Sequence, residues 1–272
     1  LILPILTALF PLPSEGGQQD PFEYLFAHVL PHKIEGLIIF GLPVWNIQYF
    51  QLAAIGFMVV GFSGVARAIR KGNPGPVARV LAGWVAWIRD EVVYPNMQKE
   101  HAQKLLPLFI TLFFFILFMN LFGLIPFGAT ATASVYVTAA LSCITFGIML
   151  IGGIIVQGPI AFWKNLIPHG VPWWLIPLIF FMEFAGLFIK PFALTIRLMA
   201  NMMGGHLVIL SFMGLAFYFG SQNTILGLAV APISIGLSMF MMILESFVAL
   251  LQAYIFTLLS VIFVSMCLHP DH

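Results

Sequence analysis

Two apolar stretches near the carboxyl end, residues 175–220 and 224–268, constrain the fold more than any other feature of the chain. The first contains Pro191, whose neighbours Lys190 and Phe192 offer no Gly, Asn or Asp to reverse the chain, so it reads as one kinked helix. In the second, residues 233–266 run without a turn signal, and at 1.5 Å per residue they extend about 50 Å. A hydrocarbon core is about 30 Å thick and membrane helices tilt by about 20° on average, so neither stretch fits as an upright span. Both are expected to be long helices that tilt steeply or project beyond the bilayer.

Composition excludes an ordinary soluble domain: 61% of the 272 residues are hydrophobic and 8% are charged, against about 25% charged in soluble proteins. The fold class expected is all-α, a polytopic membrane protein of about five membrane helices and one in-plane amphipathic helix. Residues 1–45 form an external segment, and residues 46–272 a single membrane domain. Within it, helix 46–66 is followed by the turn Gly72-Asn73-Pro74-Gly75-Pro76. The amphipathic segment 76–98 then places Val77, Leu81, Trp84 and Ile88 on one face and Arg79, Arg89 and Asp90 elsewhere. That pattern fits an interfacial helix, with a solvated helix packed on partner subunits as the other reading. Segments 105–126, with Pro107 in its first turn, and 130–157, which begins rich in Ala, Thr and Ser, form a helix pair. The two long helices complete the domain.

Charge distribution orients these spans. Seven of the eleven Lys and Arg lie between Arg67 and Lys104, whereas Glu15, Asp20, Glu23 and Glu35 precede helix one with only Lys33 against them. The positive-inside rule therefore places residues 67–104 in the cytoplasm and the amino terminus outside, and reading Pro191 as a kink, which fixes the number of crossings, brings the carboxyl terminus to the cytoplasm. The loop 158–174, with Lys164, Trp163, Trp173 and Trp174, reads as a second cytoplasmic loop. Leu1 stands where an initiating methionine would, which implies an upstream piece removed or not included. The opening Leu1–Pro13 is apolar but broken by Pro4, Pro11 and Pro13, lacks a basic start, and is given no function. His28 and His32 have a helical metal-pair spacing, but Pro31 intervenes and no third ligand is evident, so they read as solvated or capping. The tail histidines His269 and His272 read the same way. Cys143 and Cys267 read as small core residues.

The polar residues inside the long helices carry the function. Glu183, Lys190 and Arg197 are seven residues apart, an offset of about 20° each, with Asn201 about 40° beyond Arg197. His206 falls on the opposite face. Ser238, Glu245 and Gln252 repeat the seven-residue spacing on the second helix. Arg cannot release its proton at any physiological pH, so Arg197 attracts or repels charge, whereas Glu245 and His206 can relay protons. Glu183 and Lys190 have an alternative reading as a pair that locks helices together. Arg197 has no acid at i,i+3 or i,i+4, and an uncompensated arginine at membrane depth points to a carboxylate from another chain.

These residues resemble a family. Thr195-Ile196-Arg197-Leu198-Met199-Ala200-Asn201-Met202 resembles the arginine-helix motif of subunit a of the F-type rotary ATP synthase. Phe118-Met119-Asn120-Leu121-Phe122-Gly123-Leu124-Ile125-Pro126 and Leu251-Gln252-Ala253-Tyr254-Ile255-Phe256 are similar to two further motifs of that family, in the same order. The resemblance implies a stator beside a ring of c subunits whose carboxylates face Arg197, held by a peripheral stalk subunit b within the rest of the synthase. It implies two offset half-channels for protons separated by Arg197, with Asn201 and Gln252 as its polar neighbours. His206 and Glu245 occupy positions where some members carry Glu and His, an exchange that suggests the two side chains meet. Glu183 falls to the other half-channel. No cofactor, metal, nucleic acid or catalytic residue is implied, and the setting is the bilayer of a bacterial inner membrane.

Two other classes compete. A proton-coupled secondary transporter, or a proton-pathway subunit of a respiratory complex, would fit intramembrane charges, but no internal repeat and no paired Gly/Pro helix breaks are found. An intramembrane hydrolase would need a nucleophile beside a base, and Ser211 lies about 140° round the helix from His206 with no Gly-x-Ser-x-Gly elbow.

Overall fold

A computed structural model describes residues 33–39, 42–72, 74–124, 131–165, 172–222 and 224–268. His28, His32, Pro126 and the tail 269–272 lie outside them. Helices dominate the described residues: α1 (Asn46–Arg70), α2 (Pro76–Trp87), α3 (Lys99–Gly123), α4 (Val135–Gln157), the short α5 (Pro159–Lys164), α6 (Ile176–Gln222) and α7 (Thr224–Leu268). Five of them, α1, α3, α4, α6 and α7, are long and apolar enough to cross a membrane. The chain is a multi-pass integral membrane protein of all-α class.

One element departs from that description. Strands β1 (Lys33–Ile39) and β2 (Leu42–Trp45) form a small antiparallel ribbon, with Ile39 opposite Leu42 and Lys33 opposite Trp45. A two-stranded ribbon leaves little periodic trace in a sequence, since it need not bury one face.

Helix ends differ from expectation for identifiable reasons. α1 continues to Arg70, which puts Arg67 and Arg70 in the last turn, where cations favour the helix dipole. α2 starts on Pro76, whose missing N–H costs nothing at that position. It stops at Trp87 and widens into a π-turn, Ile88–Val93, closed by Tyr94 N–H donating to the Arg89 carbonyl at 2.9 Å. The wider turn keeps Ile88, Val92 and Val93 buried. α3 begins at Lys99, before the apolar run, because Glu100 and Lys104 pair across one turn at 3.1 Å. Pro107 therefore sits inside the helix, not in its first turn. α4 begins at Val135, after a 3₁₀ turn over Ala131–Ala133.

The two long helices are each continuous. α6 has 47 residues with Pro191 inside it, and α7 has 45 with Pro232 inside it, each close to about 70 Å at the helical rise. Where they succeed one another, Gly220 and Gly227 touch through their backbones. A Cβ on Gly227 would stand 2.4 Å from the Gly220 Cα, so that position admits only glycine.

The described residues pack as two compact units. One draws on the described residues within 33–57, 116–134 and 199–251; the other on those within 58–115, 135–198 and 252–268. In the first, Phe57 meets Phe118 edge-on at 4.9 Å, and buried Asn120 donates from Nδ2 to the Ala249 carbonyl at 3.2 Å. In the second, a stripe on α4 comprising Thr138, Ser142, Thr145, Met149 and Gly153 is buried. There Ser142 hydrogen-bonds Thr195, Thr145 meets Ser260 at 3.2 Å, and Gln157 Nε2 donates to the Cys267 carbonyl at 2.6 Å. Small polar side chains of this kind let membrane helices approach closely and bond across the gap.

Candidate functional site

The polar residues of α6 and α7 occupy contrasting environments. On α6, Glu183 and Arg197 are exposed, Lys190 and Asn201 half-buried. Lys190 lies over the Phe263 ring with Nζ 5.6 Å from the centroid, a cation–π contact. Among the described residues no ion pair joins Glu183 to Lys190, and none engages Arg197. Around Arg197 the helix is two-faced: Leu194, Thr195 and Leu198 are buried, while Ile196 and Arg197 face outward.

On α7 the stripe is buried instead. Ser238, Glu245 and Gln252 are 7%, 4% and 4% exposed. Each has at least one buried side-chain atom with no hydrogen-bond partner: Ser238 Oγ, both Glu245 carboxylate oxygens and Gln252 Nε2. An unsatisfied polar group in such surroundings costs about 1–3 kcal/mol, so folding alone would select against the pattern.

Among the described residues Glu245 has one ionisable neighbour. His206 Nε2 stands 3.7 Å from Glu245 Oε1, an ion-pair contact when the imidazole is protonated, and both side chains are largely enclosed. α6 and α7 thus bring together the acid and imidazole that the sequence places 39 positions apart. Among the described residues no hydrogen bond joins Arg197 to Gln252.

One contributor has no counterpart in the sequence reading. Gly205 lies beneath the carboxyl group: a Cβ there would come within 2.6 Å of Glu245 Cδ and Oε1. A glycine inside a helix costs about 1 kcal/mol relative to alanine, so Gly204-Gly205 in mid-helix was the available signal that something packs against the backbone. The hydroxyl partners Ser142 and Thr195 were likewise legible only as small residues.

An outward-facing arginine and an enclosed acid–imidazole pair, carried on two exceptionally long apolar helices, define an ion-handling membrane subunit. The ATP synthase A chain family matches residues 48–265. An ATP synthase subunit a of Myxococcus xanthus is 37% identical over 267 residues, covering 96% of this chain and 86% of that protein. An ATP synthase subunit a 2 of Chlorobaculum tepidum is 41% identical over 274 residues, covering 94% and 76% respectively. An ATP synthase subunit a of an Anaeromyxobacter species is 39% identical over 255 residues and 90% of this chain, which spans 60% of that relative's length. The chain belongs to the ATP synthase A chain family.

Proposed function

We propose that this chain is the proton-translocating stator subunit of an F-type ATP synthase, coupling proton flow to rotation of a ring of c subunits. The observation that carries this reading is Arg197: a permanent cation on the outward face of a membrane helix, with no ion pair among the described residues. A charge at that depth needs a counter-charge, and a ring carboxylate presented from outside the chain supplies one.

The mechanism follows from the cost of charge in lipid. A ring carboxylate facing hydrocarbon must be neutral, whereas beside Arg197 it can ionise. One half-channel, containing His206 and Glu245, exchanges protons with the ring on one side of Arg197. The other, containing Glu183, exchanges them on the far side. Asn201 and Gln252 are polar neighbours of the arginine. Because Arg197 blocks direct passage, protons cross only by riding the ring round, and a membrane potential biases that motion by about 2.3 kcal/mol per charge per 100 mV. The chain performs no bond chemistry of its own. A peripheral stalk subunit b holds it against the ring in a bacterial inner membrane. The amino terminus lies outside, while residues 67–104 and the carboxyl terminus face the cytoplasm, as the clustered cations favour.

Arg197→Ala is expected to abolish proton-driven ATP synthesis in reconstituted vesicles while the complex still assembles, since among the described residues no ion pair engages the guanidinium. Arg197→Lys is expected to fail too, because an ammonium lacks the planar fork and deprotonates when desolvated. Substantial synthesis by either variant would refute the assignment.

A further inference from the structure

We infer that Ser142 is a positioning residue for Arg197, acting through Thr195; the inference rests on the role proposed for the arginine. Thr195 precedes Arg197 by two positions, about 200° round the helix, so whatever holds Thr195 sets the direction in which Arg197 projects. Thr195 is 7% exposed and its hydroxyl bonds Ser142, itself 2% exposed on the buried stripe of α4. It is the one side-chain hydrogen bond that α6 makes to another helix within this unit of the described residues.

The need for such a hold is local. Pro191 has no N–H, so the carbonyl one turn before it loses its helical donor, and α6 is weakened just ahead of Arg197. The Thr195 hydroxyl lies 3.0 Å from the Pro191 carbonyl, an i−4 bond of the kind that bends helices. A helix loosened at that point can swivel. With side chains it is about 10–12 Å across, so a rotation of about 20° sweeps its outer surface by roughly 2 Å. That is enough to misplace a charge that must meet each passing carboxylate.

α4 is suited to act as the fixed reference. Below Ser142 its Phe146 packs on Phe188 of α6 at 5.3 Å. It is also tied to α7 through Thr145–Ser260 and through Gln157, whose side chain accepts from Asn165 at 3.0 Å while donating to Cys267. The Ser142–Thr195 bond thus clamps the back of the arginine's helix turn to a helix that is itself braced.

The test measures proton pumping per ATP hydrolysed by the assembled synthase in inverted vesicles. A purely structural role would lower the amount of complex and both activities together, leaving that ratio unmoved. Thr195→Val, which keeps the branched shape and removes the hydroxyl, is expected to lower the ratio by about fivefold, the population shift produced by losing one ordinary hydrogen bond. Thr195→Ser is expected to restore it. Ser142→Ala reads the same contact from the other helix, and combining it with Thr195→Val is expected to add little. An unchanged ratio in Ser142→Ala or Thr195→Val, or a Thr195→Ser as poor as Thr195→Val, overturns the inference. If Arg197→Ala uncouples while these variants do not, the positioning role alone is wrong. If Arg197→Ala stays coupled, the proposed function fails first.

Discussion

The hydroxyls along α4 and the carboxylate of Glu245 are equally buried, yet they are treated in opposite ways. Ser142, Thr145 and Ser260 all find partners, in their own helix or across to the next. Glu245 has two buried oxygens without a hydrogen bond and one imidazole at 3.7 Å. The difference separates hydroxyls that bind helices together from a carboxyl group held ready to change charge. A satisfied network rigidifies; an unsatisfied one leaves a group whose energy still depends on its proton.

The largest effect is expected from removing the reactive side of that contrast. Glu245→Gln and His206→Ala should each slow proton flux by about tenfold, equivalent to about 1.4 kcal/mol and within the coupling range of touching residues. The double variant should cost clearly less than the sum, and exchanging the two residues should recover part of the flux. Fully additive losses with no recovery in the exchanged protein would break the comparison, since Glu245 would then be merely unsatisfied.

Gly205→Ala gives a smaller and sharper result, because stability and activity should move in opposite directions. The new Cβ meets the flexible end of Glu245, not backbone, so the carboxyl can swing aside. Alanine meanwhile favours the helix by about 1 kcal/mol. The variant is expected to resist thermal unfolding at least as well as the parent and to pump roughly threefold more slowly, as a partial loss of a coupled contact would give. A fall in both would mean that Gly205 serves packing alone.

The smallest effect belongs to a pair outside either category. Arg89 donates to both Asp90 oxygens at 2.8 and 2.9 Å, and that hydrogen bonding holds the Asp90 carboxyl below the usual carboxylate range. Its contribution is present above the ordinary Asp value and is lost as pH falls through the depressed one. Both side chains are solvent-exposed, so screening leaves little to lose. Asp90→Asn should not change flux, and its melting curve should match the parent's at neutral pH and in acid. A clear change would show that exposure does not sort these polar groups.

What the sequence disclosed follows the same division. The five long helices were legible because apolar length is a one-dimensional property. His206 and Glu245 were legible because a proton-exchanging side chain at membrane depth is conspicuous wherever its partner lies. The hydroxyl contacts were not, since Ser142 reads the same whether it faces Thr195 or lipid, and the partner is chosen by the fold. The early start of α3 was missed for a related reason. It extends the helix through the mostly polar residues 99–104, where Glu100 and Lys104 pair across one turn.

The lengths of α6 and α7 give the surrounding lipid a mechanical part. Helices of 47 and 45 residues outrun the hydrocarbon roughly twofold, so their inclination answers to the thickness of the film around them. Each ångström of mismatch costs a fraction of a kcal/mol, modest for one helix but applied to the element that carries Arg197. Acyl-chain composition then acts as a spring constant: a bilayer of longer or more saturated lipids changes the inclination of the helix that carries Arg197 without altering a single residue.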